Sequence, residues 1–253
     1  MIGIFDSGSG GLTVLRALKD AMPSADVVYF GDTKNTPYGL KNRETLTELT
    51  VDAIQKLQGA GAEHIISACN SVSASLAVSL YDTLFSKSDA LIEMVGPTVA
   101  AFRGSSAQIA VCATEATIRS ELYQNGFRMV GHRVLPLTLP TLAGAIEEGA
   151  SPEAIRAMLA EGFKEVSFDA LDVVVLACTH YPLVMEQFLQ SVPSRVLLYN
   201  PAEAIAERAQ QLWWPREVGN GSLRFLISKD SPTFRAFVTT LFPDTDYTIE
   251  VVQ

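Results

Sequence analysis

Apolar positions along this chain fall into two rhythms that take turns. Short, nearly continuous apolar runs at 2–5, 27–30, 64–68, 108–112 and 172–177 read as buried strands. Further strands are predicted at 91–95, 133–137, 195–199, 223–227 and 247–252. Between the runs, apolar residues return at helical spacing. Leu12, Leu15, Leu18 and Met22 share one face after the first strand, and Leu46, Leu49, Ala53, Ile54 and Leu57 share another. Gly59 and Gly61 stop that second helix. Helices are also expected at 73–85, from 118 to a close at Gly126, and at 143–148, 152–166, 183–190, 202–214 and 233–241. Strand and helix in alternation predict the α/β class, with parallel, doubly wound sheets.

The order of elements breaks near 86–89 and then restarts. That predicts two similar α/β domains: residues 1–95 with a C-terminal return over 204–253, and residues 96–203. The tail is too short to be a domain and is expected to pack on one half.

Two strands end alike. IISACNSVSAS at 65–75 brings Cys69 to a strand terminus, and DVVVLACTHYP at 172–182 does the same for Cys178. Open α/β sheets place ligands at such ends. A following helix N-terminus favours thiolate and attracts carboxylates. Cys112 lies inside an apolar run with no polar neighbour after it, and reads as a small buried hydrophobe. Cys69 and Cys178 are instead followed by side chains that can hold a substrate, Asn70 and Thr179. Two matched thiols suit inversion of a stereocentre, which needs a base on one face and an acid on the other. For an amino acid without a pyridoxal lysine, the site must then supply dense hydrogen bonding to the carboxylate and a dry, preorganised environment.

Other chemistries fit less of the chain. A Cys–His hydrolase would pair Cys178 with His180 and leave Cys69 idle. His64 reads as a surface or edge residue, and His132 has no evident role. No His, Cys and carboxylate set has metal-ligand spacing, so no metal is expected. The turn from Asp6 to Gly11 lacks the third glycine of a dinucleotide fingerprint and the GK[ST] of a P-loop. It reads as a structural or carboxylate-binding turn. Pro37-Tyr38-Gly39 reads as a turn with an exposed aromatic ring and N–H groups free for a ligand.

Composition narrows the setting. A net charge of −9 gives no electrostatic reason to bind nucleic acid. No apolar run approaches the ~18 residues of a membrane span, and the first residues, MIGIFDSG, lack a signal peptide's basic and apolar regions. Three cysteines without CxxC spacing support neither a disulfide framework nor a zinc knuckle. A cytoplasmic chain with reduced thiols is expected.

Five segments together carry a resemblance: IGIFDSGSGGLTVLRAL (2–18), YFGDTKNTPYGLKNRETL (29–46), ACNSVSA (68–74), ATEATIRSELYQ (113–124) and ACTHYPL (177–183). In this order and spacing the chain resembles the cofactor-independent aspartate/glutamate racemases, bacterial glutamate racemase in particular. The resemblance implies two α/β domains with the active site in the cleft between them, each giving one cysteine. It implies that Cys69 acts on D-glutamate and Cys178 on L-glutamate, with Asp6 assisting near Cys69 and His180 near Cys178. Ser7, Pro37, Tyr38, Gly39, Asn70, Ser71, Thr114, Thr117 and Thr179 then fall on substrate-binding positions. No cofactor is implied. Glutamate is the small-molecule partner, its D-enantiomer serves peptidoglycan synthesis, and a homodimer is compatible.

The chain departs from the family's pattern in places. Ser71-Val72 stands where Thr-Ala is usual, and Val72 is expected to add bulk close to the site. The stretch 137–149 matches poorly, so the resemblance does not settle a family acidic residue on Glu147. Asn200-Pro201 and Ser228-Lys229-Asp230 also differ from the usual residues. Two alternatives follow. One is aspartate racemisation, since a single methylene is discriminated by only about 1–3 kcal/mol. The other is a non-catalytic protein that binds an acidic amino acid or a cell-wall precursor, although binding alone needs neither thiol.

Overall fold

Every strand pairing among the described residues is parallel, which explains why the strands read as apolar runs rather than alternating ones. The computed structural model describes residues 1–73 and 89–252. One sheet takes β1 (Ile2–Asp6), β2 (Val27–Gly31), β3 (His64–Ser67), β4 (Leu91–Glu93), β9 (Leu223–Ile227) and β10 (Tyr247–Val251), in the order β10-β9-β2-β1-β3-β4. The other takes β5 (Ile109–Ala113), β6 (Val134–Thr138), β7 (Val173–Leu176) and β8 (Leu197–Tyr199), in the order β6-β5-β7-β8.

Both sheets are covered on both faces. Along the first sheet, Ile4, Tyr29 and Ile66 enter one apolar cluster, while Phe5, Val28, Phe30 and Ile65 enter another on the opposite face. In the second sheet, Cys112, Val174 and Leu176 alternate in the same way with Val111, Ala113 and Val175. This is the period of two expected of a pleated strand, with apolar partners on each side. Cys112 is accordingly a core residue, wholly buried beside Leu176.

Helix α1 (Leu12–Ala21) packs on the first sheet. Helix α2 (Arg43–Gly59) starts where the Asn42 side chain accepts the Thr45 N–H, and Gly61, at φ 97°, ends it. A short turn, α3 (Asn70–Ser73), follows Cys69. The rest of the helix expected over 73–85, and the break at 86–89 up to residue 88, lie outside the described residues. The tail joins the first sheet: β9 pairs with β2, and β10 with β9. We propose that the two sheets mark two domains, 1–95 with 204–253 and 96–203.

Two local expectations need correction. The strand expected over 91–95 ends at Glu93, and Val95 already opens α4 (Val95–Ala100). The Glu93 carboxylate accepts the Val95 and Gly96 N–H groups at 2.6 Å each, and proline fits a first turn because its missing donor is not needed there. The single helix expected from 118 is two, α5 (Glu115–Arg119) and α6 (Leu122–Met129). Thr114 caps α5 early by accepting the Thr117 N–H, and Glu121, in the left-handed region at φ 56°, breaks the path between them.

Candidate active site

The strand register decides what meets at the carboxyl ends. Phe5 lies opposite Ser67, and its carbonyl accepts the Ala68 N–H at 2.8 Å, so Asp6 and Cys69 leave the sheet side by side. In the second sheet the Ala177 N–H reaches the Cys112 carbonyl at 2.8 Å, which places Cys178 just beyond the edge. The two edges face each other across a small, largely enclosed cavity. Ser7, Pro37, Tyr38, Gly39, Cys69, Asn70, Ser71, Thr114, Cys178, Thr179 and His180 line it, with Ala143. Of the positions singled out in the sequence, Asp6 and Thr117 do not line the cavity and stand behind it.

Glycine lets the two edges approach. A Cβ on Gly10 would lie 2.5 Å from Thr179 Oγ1 and 2.6 Å from His180 Nδ1. A Cβ on Gly39 would lie 2.6 Å from Thr114 Cβ. The glycine-rich turn after β1 is therefore a contact surface for the Cys178 turn, which is its structural reading.

On the Cys178 side, His180 Nε2 lies 2.8 Å from Glu147 Oε2, with both residues buried. Glu147 closes α7 (Leu142–Glu147), and the same oxygen accepts the Ser9 N–H at 2.8 Å and the Ser9 hydroxyl at 2.5 Å. Burial alone would lower the His180 pKa, but its hydrogen bonds to Cys178 and Glu147 and their negative charge hold it well above the usual histidine value. Burial works to raise the pKa of Glu147, yet His180 and Ser9 pull it below the usual range. A carboxylate–imidazolium–thiol chain results. Glu147 is the residue that sequence reasoning left open, and its one signal is an acidic side chain ending an otherwise apolar helix turn.

Asp6 is wholly buried, which raises its pKa, with the His180 charge opposing. Its Oδ1 accepts the Thr179 hydroxyl at 3.0 Å and its Oδ2 the Gly8 N–H at 3.1 Å. The resemblance puts Asp6 near Cys69 alone. In the structure it also bonds the residue next to Cys178, so it touches both sides.

On the Cys69 side, burial pushes the thiol up to about 12, helped by the Asp6 charge, while the Ser7 hydroxyl and the Val72 N–H pull it down. Tyr38 is not an exposed aromatic. Its hydroxyl donates to Asp32 Oδ2 at 2.6 Å and its ring packs against Phe5, 6.1 Å between centroids. Buried Asp32 also accepts from Asn35 and from the Ser228 hydroxyl at 2.6 Å, so it anchors the 37–39 turn to the end of β9. Lys229 meets Thr33 through backbone atoms alone, which leaves its side-chain identity free at this contact. Val72 does not line the cavity. It is wholly buried among Phe5, Phe30, Tyr38 and Leu46, beneath the site.

Hydroxyls join the two edges. Ser71 Oγ lies 3.0 Å from Thr114 Oγ1, which lies 3.1 Å from Thr117 Oγ1. Asn70 Oδ1 accepts the Tyr123 hydroxyl at 2.6 Å. The remaining histidines stand elsewhere. His64, expected at the surface or an edge, is buried, with Nδ1 2.5 Å from Glu217 Oε1 and its ring 5.0 Å from that of Trp213. His132 is buried against Phe127, with Nε2 3.1 Å from the Phe102 carbonyl. Asn200 Oδ1 accepts the Ala202 N–H at 3.1 Å, at the start of the helix over Ala202–Trp213. Among the described residues, no group of three His, Cys, Asp or Glu side chains is arranged to hold a metal ion, and no helix is long and apolar enough to cross a membrane.

Known proteins share both the sequence and the shape. The Asp/Glu/hydantoin racemase family matches residues 12–209. The chain is 36% identical over 211 residues to the glutamate racemase of Koribacter versatilis, covering 82% of this chain and 72% of that one. It is 31% identical over 237 residues to the glutamate racemase of Aquifex aeolicus, covering 94% and 92%. Its structure is similar to that of glutamate racemase from Francisella tularensis in complex with D-glutamate, with a TM-score of 0.87, 26% identity and coverage of 100% and 97%.

Proposed function

We propose that this chain, which belongs to the Asp/Glu/hydantoin racemase family, interconverts L- and D-glutamate with two thiols and no cofactor. The observation that carries the reading is the single cavity lined by Cys69 from one sheet and Cys178 from the other. One thiolate removes the α-proton, and the opposite thiol delivers its own proton to the other face of the carbanion. The first sulfur ends protonated and the second ends as thiolate, so the next turnover in the same direction needs a proton moved back. On the family's pattern Cys69 takes the proton from D-glutamate and Cys178 from L-glutamate.

The surroundings support these roles. The α-proton of an amino acid is very weakly acidic, so a strong base is useful. Raising Cys69 from 9.0 to about 12 makes its thiolate such a base, at an extra cost of about 4 kcal/mol over an ordinary cysteine to form it. His180, kept protonated by Glu147, supplies positive charge and a hydrogen bond to Cys178. Hydroxyls of Ser7, Ser71 and Thr114, with the Asn70 amide, line the cavity as donors for a dicarboxylate, while the Thr117 and Thr179 hydroxyls bond Thr114 and Asp6 beside it. Pro37, Tyr38 and Gly39 cover the cavity against Thr114 and help exclude water.

Glutamate is favoured over aspartate because the curated relatives at 31–36% identity are glutamate racemases. The non-catalytic reading leaves both thiols without a purpose, and the hydrolase reading leaves Cys69 without one. We take the chain to act in the cytoplasm, on free glutamate, and to supply D-glutamate for peptidoglycan. A homodimer is compatible with that role.

The test is loss of the α-proton NMR signal in D₂O, with L-glutamate, D-glutamate, L-aspartate and D-aspartate incubated separately. Exchange of both glutamate enantiomers without added cofactor is expected. Exchange of aspartate alone would move the specificity, and no exchange at all would overturn the racemase reading.

A further inference from the structure

Among the buried side-chain polar atoms without a hydrogen-bond partner, Asn70 Nδ2 is the one on a residue that lines the cavity. Asn70 is 3% exposed, so solvent does not satisfy that group either. A buried amide donor left unpaired is costly, and such a group calls for an explanation. Its other end is firmly held. Asn70 Oδ1 accepts the Tyr123 hydroxyl at 2.6 Å, and Tyr123 is wholly buried, its ring 6.4 Å from that of Phe127. Tyr123 lies on α6 beside the four-stranded sheet, whereas Asn70 follows the six-stranded sheet directly after Cys69.

An asparagine amide has an accepting end and a donating end, and a half-turn exchanges them. A dicarboxylate presents only acceptors to the cavity wall. With NH₂ turned inward Asn70 binds it, and with C=O turned inward Asn70 repels it. A phenolic hydroxyl can donate to Oδ1 or accept from the NH₂; the structure holds the first arrangement, with Tyr123 donating to Oδ1 and the NH₂ left free. We propose that Tyr123 is a positioning residue, whose hydroxyl reaches from the other half of the molecule to lock the Asn70 amide with its NH₂ toward a substrate carboxylate. This rests on the glutamate racemase reading. It also makes a substrate donor depend on the approach of the two halves, because the lock and the amide belong to different sheets.

The experiment is a double-mutant cycle of Tyr123→Phe and Asn70→Ala, read in KM and kcat for both glutamate enantiomers. Tyr123→Phe is expected to raise KM roughly tenfold, the scale of one lost hydrogen bond, with kcat far less changed. In the Asn70→Ala background the same change is expected to leave KM where it is. Equal factors in both backgrounds, or no change of KM in the single variant, would overturn the assignment and reduce Tyr123 to a packing residue. A second measurement needs no folded Tyr123 variant: the Asn70 side-chain amide resonances of the unmutated chain, labelled with ¹⁵N, should shift on adding glutamate. If they stay unmoved, the inward NH₂ is wrong. Normal α-proton exchange with an additive cycle would sink the Tyr123 assignment alone, whereas no exchange by the unmutated chain would sink both readings.

Discussion

Replacing Glu147 with Gln keeps the shape of the side chain and removes its charge, which isolates what that charge does for His180. In the native chain His180 titrates well above 6.5, because Cys178 and Glu147 outweigh its burial. A raised histidine pKa adds stability that is fully present below the unfolded value, and is lost as pH rises through the folded value. Glu147 is shifted the other way. Its contribution is present above 4.5 and is lost only as pH falls through its lower folded value, so it adds no slope between pH 5 and 8. Glu147→Gln removes that carboxylate's hydrogen bond and charge and leaves burial opposed by Cys178, so the His180 pKa falls. Between the lowered folded value of the variant and the raised one of the native chain, only the native fold holds the proton. There the native chain's advantage grows by about 1.4 kcal/mol for each pH unit of acidification, whatever the unfolded chain binds. For a chain of this size that is a gap in Tm widening by roughly 3–6 °C per pH unit. Thermal melts of both proteins between pH 5 and 8 measure it. Parallel profiles would refute the buried imidazolium and the role given to Glu147.

Two further substitutions separate the cavity from the core beneath it. Gly10→Ala puts a methyl group onto Thr179 and His180, so kcat should fall roughly 100-fold, since a displacement near 1 Å suffices for that. Near-native turnover would show that the two edges need not approach so closely. Val72→Ala removes buried methyl groups from the cluster with Phe5 and Phe30, and should cost about 2 kcal/mol in denaturant unfolding while leaving the glutamate-to-aspartate ratio of kcat/KM unchanged. A changed ratio would return Val72 to the substrate pocket.

Much of the site was legible because strand ends are. Cys69 and Cys178 follow apolar runs directly, parallel register carries such ends to one edge, and a polar residue after each thiol marks the edge. The tail strands were legible from their own patterns, a nearly apolar run in β9 and an alternation of apolar and polar residues in the edge strand β10. What escaped depends on contacts between residues far apart in the chain. Glu147 acquires its role from His180 and from Ser9, which lies 138 residues earlier. Tyr38 looked exposed because a Pro-Tyr-Gly turn usually is. Asp32, which accepts its hydroxyl, sits in an ordinary-looking Gly-Asp-Thr stretch. His64 heads a strand, where an edge position is the common case, and Glu217 and Trp213, distant in the chain, make it a buried partner. Val72 was misjudged through direction: it follows Cys69 closely, but the first turn of α3 points it down into the apolar cluster. The helix break at Glu121 follows from a left-handed backbone at a residue type that gives no warning of it.

The central claim is that two thiols share one reaction, and single replacements of each test it. Cys69→Ser and Cys178→Ser should each fold, and each should abolish net racemisation of glutamate followed by polarimetry from either enantiomer. Wild-type turnover in either single variant would contradict the two-thiol account and require a different base on that face.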